Sequence, residues 1–340
     1  MVPTHRRPAR LRECLAALAA LDYPRDRLEA IVVGDVGEEP IEPILDEVRG
    51  RLEVAFLPHE VLLPAARRNA GARRARGELV AFVDDDCRPA RDWLRLLVEA
   101  RVDPGEALGG HTLSTLTDNP YAEASQLIIN IGYRQNGDEP NAARFFTTDN
   151  LVVPRARFLE LGGFDETFWT AEDREFSDRW LARGWRMRYV PEATVWHAHP
   201  IGLRGFVSRN WHYGRGAQRF WRKRAQAGRE PFRPDLRFYA TVAGAPFRQR
   251  TMRGRIALLL LTWHVLNTAG FVYEAVLARL GRSPLVAIAV PYSAESPGRG
   301  GGAARPADGH AGGPGQHAGR DDRREPVGAN VEGRGAARAP

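Results

Sequence analysis

The sequence predicts an α/β fold: a Rossmann-like, mostly parallel central sheet with helices on both faces, then a helical C-terminal region and a disordered tail. Three observations predict it. Short apolar, β-branched runs alternate with helix-like segments through the first two thirds of the chain. Proline or glycine marks most of the changes, and acidic residues stand just beyond two of the apolar runs. Strand, helix, strand in repetition buries a parallel sheet between helix layers, and such sheets take ligands at the carboxyl ends of their strands.

Taken in order, only Met1-Val2 precede the segment Pro3-Thr4-His5-Arg6-Arg7-Pro8, so the first strand reads as truncated. Residues 10–21 have helical composition. Their apolar run, Leu15 to Leu21, superficially resembles the core of a signal peptide, but it is brief, leads into Asp22-Tyr23-Pro24 and has no cleavage site. It is read as the buried side of a helix. Strands follow at 30–33, 52–56 and 79–83, with helices at 41–49 and 65–76. Asp35 stands just past the first of these strands, and Asp84-Asp85-Asp86 just past the last. Beyond about residue 108 the pattern is mixed, with strands at 151–153 and 187–190. A helix at 174–183 carries Phe176, Trp180 and Leu181 on one face and stops at Gly184.

Four regions result. Residues 1–200 form the α/β domain, and 201–250 a basic, aromatic helical extension. Residues 251–285 hold an apolar helix, and 293–340 a tail of Gly, Ala, Arg and Pro without the apolar residues a core needs. With 43% hydrophobic residues in 340 the chain can bury a core. The net charge is +7, nearly all of it arginine, since Lys223 is the only lysine. A basic surface suits anionic lipid or a diphosphate. No helix-turn-helix, zinc-finger or RNA-binding signature is present, so nucleic acid is not expected as a partner. Cys14 and Cys87 form neither a disulfide framework nor a zinc spacing, which fits a reducing cytoplasm.

In extended chain, alternation turns Asp84 and Asp86 one way and Asp85 the other. Two carboxylates ~4 Å apart repel by about 4 kcal/mol at an effective dielectric near 20. A cation relieves that repulsion, and oxygen ligands completed by phosphate suit Mg²⁺ or Mn²⁺; a solvated acidic turn is the alternative. Thr170-Ala171-Glu172-Asp173 opens a helix, where acids also serve as caps. His197 follows the last strand.

Together these features resemble the family 2 glycosyltransferases, which have the GT-A fold. The matching stretches are Pro3 to Pro8, Ile31-Val32-Val33-Gly34-Asp35, Ala66-Arg67-Arg68-Asn69-Ala70-Gly71 and Arg76-Gly77-Glu78 leading to Asp84-Asp85-Asp86. They continue with Asp149-Asn150, Gly162-Gly163-Phe164-Asp165-Glu166, Glu172-Asp173 and Pro191 through His197. The resemblance implies that Pro3, Thr4, Arg7, Asp35, Arg68, Asn69, Asp84 and Asp85 hold a nucleoside-diphosphate sugar. It implies that Asp86 and His197 bind Mg²⁺ or Mn²⁺, and that Asp173, with Glu172 beside it, is the base that deprotonates an acceptor hydroxyl. Trp169 and Asn150 are candidates to touch the acceptor, whether polysaccharide, lipid or small molecule. A single base and no nucleophile for a covalent intermediate imply inversion at the anomeric carbon. The sequence departs from the pattern at its short start and at Gly34, where many relatives carry a second acid. Both departures leave room for the alternative of a non-catalytic GT-A-like scaffold subunit at a membrane.

The extension interleaves arginine with aromatics, as in Arg209-Asn210-Trp211 and Phe220-Trp221-Arg222-Lys223-Arg224. Such a segment lies on a membrane surface, contacts a lipid-linked diphosphate or packs on the catalytic domain. The uncharged stretch 256–270 is shorter than the roughly 20 residues a span requires. A monotopic or re-entrant helix on the cytoplasmic face of the cell membrane is therefore expected rather than a clean crossing, with a buried core helix as the alternative.

Overall fold

The first 82 residues alternate strand and helix: β1 (Val2–His5), α1 (Pro8–Ala19), β2 (Glu29–Asp35), α2 (Ile41–Arg49), β3 (Glu53–Pro58), α3 (Pro64–Arg74) and β4 (Leu79–Phe82). The structure is a computed structural model describing residues 1–35, 37, 40–116, 118–134, 142–248 and 253–283, and the expected tail at 293–340 lies outside them. Strands β1, β2 and β3 pair in parallel, with Thr4 opposite Gly34 and His5 opposite Asp35. The carboxyl ends of β1 and β2 therefore lie side by side. Short as it is, the first strand is integrated into the sheet. The Met1 nitrogen donates to Ala81 O (2.8 Å), and Val83 N donates to Met1 O (3.2 Å). Those two bonds join the three-stranded sheet to the five-stranded one that β4 begins.

Residues 87–197 follow with β5 (Cys87–Pro89), α4 (Trp93–Glu99), β6 (Ala107–Ser114), α5 (Pro120–Arg134), β7 (Leu151–Pro154), α6 (Arg155–Glu160), α7 (Glu172–Ala182) and β8 (Met187–His197). Here the order is β4-β7-β6-β8-β5, and the pairing is mixed. Strands β4 and β7, β6 and β7, and β5 and β8 run antiparallel, whereas β6 and β8 run parallel. Strand β6 gave no clear sequence signal because glycines occupy 109 and 110 where β-branched residues would announce a strand. Strand β8 runs past the expected stop at Pro191. A register shift between Gly110 and His111 accommodates the proline, which is how sheets tolerate a residue without an N–H. That continuation carries the chain to His197.

The sheet is covered on both faces. Leu11, Leu15, Ile44, Trp93 and Leu97 pack on one side; Phe82, Phe158, Phe164, Phe176 and Trp180 form an aromatic cluster on the other. A third cluster joins α5 to the C-terminal helices α8 (Leu203–Gln226), α9 (Leu236–Arg248) and α10 (Arg253–Arg279) through Ile131, Phe206, Val242, Leu259 and Leu260.

The cations of α8 bind this chain's own acids. Lys223 Nζ lies 2.6 Å from Glu175 Oε1, and Arg224 pairs with Asp178, so α8 is fastened to α7. Helix α10 lies tightly on α8. A Cβ at Gly214 would stand 2.1 Å from Asn267 O, and one at Gly270 2.3 Å from Trp211 O. Buried Glu274 accepts from Arg215 Nε (2.8 Å) and Arg219 Nε (2.7 Å) of α8. The basic extension is thus packed against the α/β domain.

Candidate active site

After β4 the chain turns. Cys87 N donates to Asp84 O (3.0 Å), so Asp84-Asp85-Asp86 forms a tight turn rather than extended strand. The expected alternation does not apply, and each carboxylate has its own partner. Asp84 Oδ1 takes Arg68 Nη2 at 2.6 Å. Asp85 has no exposed surface; it accepts from Thr4 Oγ1 (2.8 Å) and meets Arg7 Nη2 at 2.6 Å. Burial pushes its carboxyl up to about 7 even with Arg7 beside it. Asp85 therefore fixes β1 and Arg7 from below and presents no surface to a nucleotide sugar.

Asp86 faces the cleft. It meets Arg7 Nη1 at 2.8 Å, His197 Nε2 at 3.3 Å and His199 Nδ1 at 3.2 Å. Cys87 lies opposite His197 in the β5–β8 pairing, and Ala198 N donates to Asp86 O (2.8 Å), which brings the histidine segment against the turn. His199 was not anticipated. The signal was present as His197-Ala198-His199, because residues two apart in extended chain share a face. One ligand atom from each of Asp86, His197 and His199 lies within 4.8 Å of the others. A carboxylate oxygen and two imidazole nitrogens fit a first-row divalent cation, and suit Mn²⁺ better than all-oxygen Mg²⁺. Burial opposes charge on His197, but Asp86 overrides it and raises the imidazole to about 9. Burial and Arg209 lower His199 to about 4. Arg209 of α8 reaches the far nitrogen of that ring.

A second acidic pole lies at the start of α7. Ala171 holds a left-handed φ of 72°, a strained conformation for a residue with a Cβ. It places Glu172 and Asp173 in the first helical turn, where the dipole favours anions. Glu172 Oε1 accepts from Arg68 Nη1 at 3.0 Å. Burial, reinforced by Asp173, raises Glu172 to about 7. Asp173 is raised by burial as well, although its Oδ1 accepts from Arg174 N (2.7 Å). Arg68, only 5% exposed, thus joins both poles by holding Asp84 with one nitrogen and Glu172 with another.

Asp35 closes the other end of the cleft. Gly37 N, 2.7 Å away, and Arg6 Nε, 3.3 Å away, hold its carboxyl below the usual range. Pro3 and Thr4 run alongside on β1, and Arg67 Nη1 donates to Thr4 O (2.5 Å). Gly34 has φ 141°, and a Cβ there would stand 2.0 Å from Thr4 O. The departure from the family pattern at this position has a local steric cause.

Two expected contacts are placed elsewhere. Asn69 spends its amide on Phe164 O (2.8 Å), Glu166 Oε1 (2.8 Å) and Phe164 N (2.9 Å), which orders the loop before α7. Asn150 has no exposed surface and binds Trp93 Nε1 (2.8 Å), Gly110 N (3.2 Å) and Ala193 O (3.3 Å). An amide already saturated by the core cannot greet an acceptor. Trp169 is half-buried beside Thr170. Asp149, buried and raised by burial, is a further acid near His197.

The profile of "Glycosyl transferase family 2" matches residues 1–160. Residues 1–160 belong to glycosyl transferase family 2. Pre-mycofactocin glycosyltransferase of Mycobacterium tuberculosis is 32% identical over 225 residues, 64% of this chain and 46% of that protein. The chain thus spans less than half the length of that relative. Glycosyltransferase AglE of Haloferax volcanii is 23% identical over 230 residues, 65% of this chain and 73% of its own. Among solved structures, the mannosyltransferase PcManGT of Pyrobaculum calidifontis, in complex with GDP-Man and Mn²⁺, superposes with a TM-score of 0.55. Its identity is 22%, covering 82% of this chain and 79% of that one. TarS of S. aureus (residues 1–349), in complex with UDP-GlcNAc, gives 0.51 at 14% identity, over 83% of this chain and 91% of that one. The fold is GT-A. The family match ends before Glu172, Asp173, His197 and His199, so the tertiary structure is what joins these residues to the family 2 domain.

Proposed function

We propose that the chain transfers a sugar, with inversion, from a nucleoside-diphosphate sugar to an acceptor hydroxyl. The observation that carries this reading is Arg68: one buried guanidinium ties Asp84, two residues before Asp86, to Glu172, the neighbour of Asp173. A donor-side pole and an acid pole with raised pKa values thereby share one cleft. Pro3, Thr4, Asp35, Arg7, Arg68 and Asp84 bind the donor, which is supported by the GDP-Man and UDP-GlcNAc named for the two structural neighbours. Asp86, His197 and His199 hold a divalent cation, with Mn²⁺ preferred. When bound, that ion neutralises charge developing on the departing diphosphate.

Asp173 takes the proton of the attacking hydroxyl. Its raised affinity for a proton suits that task. Glu172, fixed by Arg68, stands beside it in the first turn of α7. Arg7, bridging Asp85 and Asp86, presents a cation toward the diphosphate. One base opposite the leaving group gives a single displacement, and hence inversion.

The acceptor lies at or near a membrane surface on the cytoplasmic side. Support comes from α10, whose Leu258, Leu261, Val265, Val272 and Val276 are 64%, 60%, 55%, 54% and 48% exposed and recur at helical spacing. The opposite face is pinned to α8 by Glu274. A helix with one apolar face in solvent and the other held on α8 fits along a bilayer surface, and Gly254–Arg279 is also long and apolar enough to cross one.

The test is turnover of GDP-mannose and UDP-sugars with product configuration read by NMR. EDTA should abolish turnover, and Mn²⁺ should restore it better than Mg²⁺. Asp173→Asn should lower kcat about 100-fold or more with nucleoside-diphosphate affinity kept. Wild-type turnover in that variant, or a product with retained configuration, refutes the reading.

A further inference from the structure

Among the described residues, Ala171 and Arg6 are the non-glycine positions with positive φ. A residue with a Cβ stays in that conformation only where its surroundings hold it there. Within α7 the hold is slight: Ala171 O accepts from Glu175 N (3.0 Å), and no side chain caps the helix. The remaining constraint comes from α8.

Thr170 Oγ1 donates to His212 O (3.0 Å). In a helix that carbonyl also accepts from the N–H four residues on, at Gly216, so Thr170 reaches it only because residue 216 lacks a side chain. A Cβ at Gly216 would stand 2.2 Å from Thr170 Oγ1 and 2.7 Å from Thr170 O. Glycine weakens a helix interior relative to alanine, and this close approach gives the reason for one here. Lys223 Nζ grips the same segment on both sides of Thr170, at Asp165 Oδ2 (2.5 Å) and at Glu175 Oε1 (2.6 Å). Asp165 Oδ1 in turn accepts from Thr167 N (2.8 Å) and Thr167 Oγ1 (2.7 Å). The segment 165–175, with Ala171 inside it, is therefore held by α8 at residues 165, 170 and 175. Helix α8 has no room to retreat, because Gly214 and Gly270 bring it into backbone contact with α10 on another side. A side chain added at 216 therefore displaces Thr170 rather than α8.

We propose that Thr170 and Gly216 are positioning residues, whose contact holds the Ala171 turn and thereby aims Asp173 at the acceptor hydroxyl. The inference rests on the transfer reaction proposed for this cleft, with Asp173 as its base, and assigns the orientation of that base to α8. A general base acts only within hydrogen-bond reach of its proton. Asp173 lies two residues beyond Ala171, so a change in the turn swings the first turn of α7 that carries it.

The full chain is assayed with Mn²⁺ for release of GDP from GDP-mannose and of UDP from UDP-glucose. Two further readouts are Mn²⁺-dependent GDP and UDP affinity by calorimetry and amide hydrogen exchange over residues 171–176. Thr170→Val keeps the shape and removes the hydroxyl; kcat should fall about 10-fold, with faster exchange at 171–176 and wild-type nucleotide affinity. Gly216→Ala should lower kcat about 100-fold, the loss expected for a base displaced by about 1 Å. Thr170→Ser restores the hydrogen bond and should return kcat to within about 2-fold of wild type. A merely structural contact would lower the melting temperature and leave the kcat of the folded protein unchanged. Wild-type kcat in Thr170→Val therefore overturns the proposal, and Thr170→Val carries that test if Gly216→Ala does not fold. An equal loss in Thr170→Ser and Thr170→Val overturns it as well. A wild type that binds nucleotide but releases none from either donor refutes the transfer reading. Hydrogen exchange then tests the clamp by itself, and unchanged exchange in Thr170→Val overturns it.

Discussion

Asp86 and His197 form a carboxylate–imidazolium pair, 3.3 Å apart. Asp86 is held well below the ordinary carboxylate range, and His197 is raised to about 9. A metal ion requires the neutral imidazole, so below about 9 each ion that binds must expel the proton of His197. The sign follows: affinity rises with pH, by up to about tenfold per unit, and levels off above the raised pKa. Calorimetry of Mn²⁺ binding at pH 7 in two buffers of different ionisation enthalpy should show close to one proton released. Equal apparent enthalpies in the two buffers would contradict the pairing. Several residues of this site were legible in the sequence. Asp35, Asp84, Asp86, Glu172, Asp173 and His197 stand at strand ends or a helix start, where acids and histidines carry a signal. Asn69 and Asn150 misled because an amide in a matching motif looks the same whether it binds a ligand or the core.

At the scale of elements, β1 and β2 must lie close enough for Thr4 and Asp35 to share one edge, and Gly34 makes that possible. Its φ of 141° and the 2.0 Å approach of Thr4 O leave no space for a side chain. Gly34→Ala should cost about 2 kcal/mol or more and weaken nucleotide binding by displacing Thr4. A thermal melt with and without UDP or GDP reads both effects, and a wild-type melting temperature would remove the steric argument. Elements carried by β-branched runs, such as β2, β4 and β7, were readable because their composition states their geometry. Strand β6 and the continuation of β8 past Pro191 were not, since a glycine pair and a bulge hold them in the sheet through neighbours distant in sequence.

For the whole molecule, the C-terminal helices divide their surfaces between two tasks. Helix α8 turns its cations inward to Glu175, Asp178 and Glu274, while α10 leaves an apolar stripe in solvent. The triple variant Leu261→Glu, Val265→Glu, Val272→Glu should cut cosedimentation with phosphatidylglycerol vesicles several-fold and leave nucleotide affinity unchanged. A wild-type protein that stays in the supernatant would refute the membrane assignment.

The sequence by itself determined the α/β architecture, the acids at the strand ends and the family resemblance, because each is written in local periodicity or in short motifs. Only the tertiary structure decided how those pieces meet. Arg68 reaches Glu172 across 104 residues, His199 reaches Asp86 across 113, and Arg215 of α8 reaches Glu274 across 59. Contacts over such separations are fixed by how the sheet and helices pack, and local composition carries no trace of the partner.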